Sequence, residues 1–314
     1  MGESSYKILY IAGIGRNGGT IIDRILGHVP GFVSTGELRF IWLKGVLRNE
    51  LCNCGEPFRN CWFWKLVAER AFGGMTPENA HRLLELSEQL DRSRYAPQWL
   101  WRSHVEPFSA RAVAYAIALR SLHDAIASVS GARVIVNSSK FAGYGFALIA
   151  AQAAPVYVLH LIRDSRATAY SWSKKILKPE APGEDQYMRQ YKSASAAMQW
   201  NYRNATAELL KLRAAAYRRV RYEDFASQPA AVITDIVEWL GEPSPAEPFV
   251  DAHTVELGET HTQSGNPSRF RSGRIPIVPD NEWLERMPLP NRALVTGLTA
   301  PWLARYGYLS VADR

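Results

Sequence analysis

The segment GIGRNGGT, residues 13–20, sets Gly13, Gly15, Gly18 and Gly19 around a single arginine, between an apolar run and the start of a helical pattern. A glycine loop in that setting presents several backbone N–H groups to one anion at the positive end of a helix dipole. A magnesium-nucleotide loop reads G-x-x-x-x-G-K-[ST], and here Gly19 stands where the lysine belongs. Arg16 is the only cation of the loop, so an anion site is kept while a magnesium-ATP site is weakened; the bland alternative is a glycine turn capped by Asn17 or Thr20. A second constellation is VYVLHLIRDSRATAYSW, an apolar run ending on Arg163, with Ser171 eight residues later at the far end of a helical turn pattern. Ligands of open α/β sheets bind just beyond the carboxyl ends of strands, and a guanidinium there can take a phosphate in bidentate fashion. Asp164 reads as a local helix cap or partner of Arg166. A third is LCNCGEPFRNCWFW, with Cys52, Cys54 and Cys61. It lacks a fourth ligand nearby, and C-x-C-x6-C is not a common zinc spacing, so it reads as a reduced loop packed by Trp62, Phe63 and Trp64, or as a labile disulfide.

These groups need a scaffold. KILYIAG, residues 7–13, is a continuous apolar run suited to a strand buried on both faces of a parallel sheet, and GTIIDRIL after the loop carries helical periodicity. Further strands are expected over 133–136, 156–162 and 217–222, separated by helix-compatible sequence, with a helix over 232–241 stopped by Gly241. This alternation predicts an α/β, P-loop-like three-layer fold with a central, mostly parallel sheet. Residues 64–130 read as a helical insertion, and 176–189 as a Pro-, Gly- and charge-rich surface loop. No linker splits the chain, so one domain over 1–314 is expected, with the insertion as the acceptor region. Of its residues 47% are hydrophobic and 21% charged, enough for a large core. Charged residues interrupt every apolar run before the roughly 18 to 20 residues that span a bilayer, and the N-terminus lacks a signal-peptide pattern, so a cytoplasmic protein is expected. The net charge of +7 suits anionic partners. Without a basic block or zinc-finger spacing, a small anionic molecule is favoured over nucleic acid.

In order and separation, the two phosphate-binding motifs resemble those of the sulfotransferase family that uses 3'-phosphoadenosine 5'-phosphosulfate (PAPS). Agreeing segments are IVNSSK, VRYEDFASQP before a helix ending EWLG, and GNPSRFRSG followed by a tryptophan and a terminal RYGY. STGEL and the cysteine-rich segment are similar to the bacterial-type branch with small-molecule or glycan acceptors. The resemblance implies that the loop residues Arg16, Asn17, Gly18, Gly19, Thr20 and Ile21 hold the 5'-phosphosulfate and that Arg163 and Ser171 hold the 3'-phosphate. It further implies Lys175 as an extra 3'-phosphate contact, Tyr222 beside the adenine, and Asn266, Arg269 and Arg271 on a closing loop. Family R-S-G-T-T stands here as Arg16 to Thr20 with Asn17 and Gly19, RDPR as RDSR, and DSSK as NSSK.

Sulfuryl transfer needs a base for the acceptor proton, donors for the sulfuryl oxygens and a counter-charge for the leaving phosphate. Glu37, where a short second strand would return the chain beside the loop, is the natural base, and the resemblance strengthens that reading. Arg16 would counter the leaving-group charge, and Lys140, ending the third strand, would reach the sulfuryl group. Ser138 and Ser139 read as donor contacts or helix caps. His160 reads as a core histidine, while His253, His261, Trp99, Trp101 and Phe108 are open to acceptor contacts or packing. The expected protein is thus an enzyme sulfating a hydroxyl of a small biosynthetic molecule, without a metal, with 3'-phosphoadenosine 5'-phosphate (PAP) as product. No nucleic acid or membrane span enters the reading, and a homo-oligomer is compatible with it. Its rivals are a kinase-like phosphotransferase on a degenerate loop and a non-catalytic nucleotide or polyanion binder. No motif specifies the acceptor.

Overall fold

A computed structural model describes residues 6–101, 108–178, 187–243 and 248–309. In chain order the elements are β1 (Lys7–Gly13), α1 (Gly19–Leu26), β2 (Phe32–Ser34), α2 (Trp62–Phe72), α3 (Pro77–Leu90), α4 (Ala96–Trp101), α5 (Phe108–Ser130), β3 (Val134–Lys140) and α6 (Ala142–Ala151). They continue as β4 (Val156–Ile162), α7 (Ser165–Ser173), α8 (Ser193–Glu208), β5 (Ala216–Arg221), α9 (Tyr222–Ser227) and α10 (Pro229–Trp239). The chain closes with β6 (Phe249–Asp251), β7 (Thr254–Leu257), β8 (Gly273–Pro276), α11 (Glu282–Arg286) and α12 (Leu289–Arg305).

The α/β reading holds. Five strands pair in the order β2-β3-β1-β4-β5, and every pair is parallel. Both faces are covered, as an all-parallel sheet requires. Side chains alternate along β1, so Ile8, Tyr10 and Ala12 enter one core with α2 to α6, while Leu9 and Ile11 enter another with α1 and α10. The sheet order puts β1 between β3 and β4, which gathers the carboxyl ends of all three strands at one edge.

Three boundaries differ from the sequence reading. β3 runs on to Lys140, not 136, because Asn137, Ser138 and Ser139 are buried and bonded; Ser139 Oγ donates to Asn137 Oδ1 at 2.7 Å. The helical insertion opens at Trp62, with a further helix, α4, inside the aromatic stretch read as an interruption. The β6-β7-β8 antiparallel sheet has strands of three or four residues, too short to show alternation. Part of the expected insertion, 102–107, and part of the expected loop, 179–186, lie outside the described residues.

Among the described residues one helix, α5, is long and apolar enough to cross a bilayer by length and composition. It carries Arg111, Arg120 and Asp124, and its Tyr115, Leu119, Leu122 and Ile126 are buried against neighbouring elements that include α2 and α6.

Candidate active site

The carboxyl ends of β1, β3 and β4 open on a cleft of about 930 Å³. Its floor is the loop between β1 and α1. Asn17 is fully buried and fixes the loop: its Nδ2 donates to Leu161 O of β4 at 2.8 Å, and its Oδ1 accepts from Gly19 N at 3.1 Å. The amide therefore ties the turn to the neighbouring strand. Gly18 has φ +88, and a Cβ at that position would lie 2.4 Å from the Tyr222 ring. The N-cap residue of α1, Gly18, has no side chain, so apart from the Gly19 amide held by Asn17 the first turn carries no side-chain cap, and its amide end faces the cleft where an anion can bind. Thr20 Oγ1 accepts from Asn266 N at 3.2 Å, so the later segment is joined to the loop.

Two arginines meet over this floor. Arg16 adopts φ +69, an uncommon backbone for a residue with a Cβ. Its guanidinium lies 5.4 Å from the Trp172 ring centroid, and its Nε and Nη2 are buried without a hydrogen-bond partner. Burial first, then the nearby Arg163 charge, lowers its pKa to about 10. Arg163 directly follows the last residue of β4, at the strand's carboxyl end. It lies 4.5 Å from the Tyr222 ring centroid, donates to Arg16 O at 3.1 Å, and keeps a buried Nε without a partner. Buried guanidinium N–H groups left unpaired are costly, and an anion in the cleft would satisfy them. The donor set therefore fits a phosphorylated ligand.

The third cation is Lys140, also at positive φ (+70). Its Nζ donates to Glu37 Oε1 at 2.5 Å and to Ser138 O at 3.0 Å. A Cβ built on Gly19 would stand 3.3 Å from Lys140 Cε, so the lysine lies directly over the loop. Glu37 is held from its backbone: Glu37 N donates to Gln263 O at 2.9 Å, and the preceding Gly36 (φ +72) approaches Gln263 O so closely that a Cβ would be 2.5 Å away. Beneath them Asp23 of α1 is fully buried, accepts from Ser34 Oγ at 2.9 Å, and is pushed up to about 7 by that burial.

Arg16 to Ile21, Glu37, Lys140, Arg163, Ser171, Tyr222 and Asn266 thus share one cleft. Three residues expected there do not. The Lys175 ammonium lies 4.1 Å from the Tyr187 ring centroid, and its neighbour Lys174 lines the cleft instead, paired with Glu282. Arg269 is fully buried and donates to Thr262 O and Leu51 O, a structural post beneath the loop. Arg271 is exposed outside the cleft. Trp99 and Phe108 pack edge to face at 5.2 Å, and Trp101 is exposed. His160 is fully buried, as read, between Tyr217 and Asn204.

Among the cleft residues that sequence reasoning missed, two hold the arginines. Asp280 Oδ2 accepts from Arg163 Nη2 at 2.8 Å, and Trp172 donates from Nε1 to Gly15 O at 3.2 Å while supporting Arg16. Asp280 carries no local signal. Trp172 directly follows Ser171, and its helical position beside that residue was the available clue.

Comparison with known proteins gives the family. A family model described as "Sulfotransferase family" matches residues 9–246. Among solved structures, the sulfotransferase domain from the Synechococcus PCC 7002 olefin synthase is similar at 18% identity, with 96% of this chain and 95% of that chain covered and a TM-score of 0.49. The sulfotransferase domain from the curacin biosynthetic pathway is similar at 12% identity, with 95% and 97% covered and a TM-score of 0.47. A search of curated proteins returns no match. The family match takes in all five strands of the parallel sheet, the anion loop, Glu37, Lys140 and Arg163, and the chain belongs to the sulfotransferase family.

Proposed function

We propose that this protein transfers the sulfuryl group of PAPS to a hydroxyl of a small acceptor, with Glu37 as general base. The observation that carries the reading is the Lys140–Glu37 pair set over the glycine loop at the N-terminus of α1 and beside two arginines with unpaired buried N–H groups. The loop amides and Arg16 would hold the 5'-phosphosulfate, and Arg163 with Ser171 the 3'-phosphate, with Tyr222 against the adenine.

In-line transfer then balances simply. The acceptor oxygen forms a bond to sulfur, the bond from sulfur to the 5'-phosphate oxygen breaks, the acceptor proton goes to Glu37, and PAP leaves. Lys140 has three donors and spends two on Glu37 and Ser138 O, leaving one for a sulfuryl oxygen. When Glu37 takes the proton its charge is lost, and the Lys140 ammonium is released to the charge growing on the leaving phosphate. Arg16 acts on the same charge from the loop side.

The chain is read as one domain over 1–314, whose 64–130 insertion forms an acceptor wall. Leu84, Ser87, Glu88, Arg92 and Arg94 of that insertion line the cleft, which supports the assignment. The residues after Glu37 and Lys140 add Arg39, Phe40, Lys44 and Phe141, and Arg203 joins them. This mixture of cations and rings suits an acceptor that carries an anionic group beside an apolar one. The test is PAP release from PAPS with a panel of alcohols matched in size. Transfer to anionic members over neutral ones supports the reading; PAPS left intact with every alcohol while the chain binds PAP would contradict it.

A further inference from the structure

We infer that Cys52, Cys54, Cys61 and His261 form a structural zinc site. The sequence offers three thiols and no fourth ligand within reach, which is why it reads as metal-free; the fold supplies His261 from 200 residues further along the chain. One ligand atom from each of the four lies within 4.8 Å of every other. Three of the six separations are 3.7 Å from Cys54 Sγ to Cys61 Sγ, 3.2 Å from Cys61 Sγ to His261 Nδ1, and 4.0 Å from Cys52 Sγ to His261 Nδ1. A tetrahedral ion with bonds of about 2.3 Å to sulfur and about 2.0 Å to nitrogen has ligand-to-ligand edges of roughly 3.5 to 3.8 Å. The four atoms already stand near the corners of that tetrahedron.

Chemistry narrows the ion. Three thiolates and an imidazole in tetrahedral array suit zinc, and a full protein set of four leaves no position for water or substrate, so the site is structural. The surroundings are built for it. Phe63 stacks on the His261 ring at 4.9 Å with planes 6° apart, Trp62 meets its edge at 4.9 Å, and Trp64 Nε1 donates to His261 O at 2.9 Å. Gly55, at φ +85, donates to Cys52 O at 3.0 Å and closes the turn that brings Cys52 and Cys54 together. His261 begins the segment whose Gln263 O receives Glu37 N and whose Gly265 and Asn266 line the cleft. The ion would therefore clamp the cysteine-rich segment to the strip of backbone that positions Glu37.

The proposal is independent of the transferase reading, because metal content is measured without turnover. The full chain, purified under reducing conditions without chelator and dialysed against zinc, is expected to hold about one zinc per chain by elemental analysis. Cobalt(II) in its place is expected to give the visible bands of a tetrahedral ion and a thiolate charge-transfer band. His261→Ala should lose the metal, His261→Cys should retain it, and a strong chelator should lower the Tm of wild type but not that of His261→Ala. Wild type that stays metal-free after reconstitution, octahedral cobalt bands, or a thiol count showing a Cys54–Cys61 disulfide in the purified chain would overturn the assignment. The wild-type measurements decide the matter even where a variant fails to fold.

Discussion

Lys140 Nζ meets Glu37 Oε1 at 2.5 Å, although the two residues are 103 positions apart and end different strand connections. The pair spans the gap between β2 and β3 and lies above Gly19 of the anion loop. In this position one side chain can accept a proton from an alcohol while the other follows charge toward a phosphate.

Glu37→Gln keeps the shape of the side chain and removes the proposed base. Turnover is expected to fall by about 10² to 10⁴, with PAP affinity unchanged because Glu37 does not hold the nucleotide. Single-turnover rates and PAP titration on the same preparation check this. A variant with normal turnover would remove Glu37 from the chemistry.

Asp280 Oδ2 accepts from Arg163 Nη2 at 2.8 Å. Its carboxyl sits below its ordinary value: burial works to raise it, and the Arg163 hydrogen bond and charge outweigh that. A 3'-phosphate must compete with this carboxylate. Asp280→Asn is therefore expected to bind PAP more tightly, by on the order of 1 kcal/mol for one partly exposed charge, or about fivefold. Weaker binding in the variant would mean that Asp280 orients Arg163 instead of competing for it.

Gly18 has no room for a side chain. At φ +88 an alanine would cost about 1 to 3 kcal/mol in backbone strain, and its Cβ would strike the Tyr222 ring. Gly18→Ala should lower the Tm by several degrees and weaken PAP binding more than tenfold, since the same shift moves both the loop and Tyr222, the proposed adenine contact. Calorimetry of the variant with and without PAP tests both effects.

Much of this was legible from residue types. The strand spans 156–162 as expected, with Arg163 directly after it, and the glycine loop falls between β1 and α1, because apolar continuity and glycine spacing are local signals. Lys175, Arg269 and Arg271 were placed by resemblance alone; Lys175 instead meets the Tyr187 ring, and Arg269 is held by Leu51 O, 218 positions away. The partnerships of Arg163 with Asp280 and of Cys61 with His261 join residues 117 and 200 positions apart. No periodicity reports such contacts.

His160 gives a pH signature. Buried between Tyr217 Oη at 2.7 Å and Asn204 Oδ1 at 2.9 Å, it is held down at about 4 from an ordinary 6.5, chiefly by burial. The unfolded chain protonates this residue on passing below 6.5, and the folded one only near 4. Its contribution is complete above pH 6.5 and is lost as pH falls toward 4, on the order of 3 kcal/mol in all. Urea unfolding at pH 7.5 and pH 5 should show wild type losing more stability than His160→Gln. The difference between the two isolates this residue, because His123, also near 4, and Asp23 and Asp91, raised to about 7, titrate in both proteins.

The most direct test of the donor assignment is calorimetric titration of PAP and of ATP with magnesium into wild type and Arg163→Ala. PAP is expected to bind wild type tightly and to lose most of its affinity in the variant, while magnesium-ATP binds neither. Preference for magnesium-ATP, or PAP binding that ignores the loss of Arg163, would contradict the account and return the glycine loop to a phosphotransferase or a purely structural role.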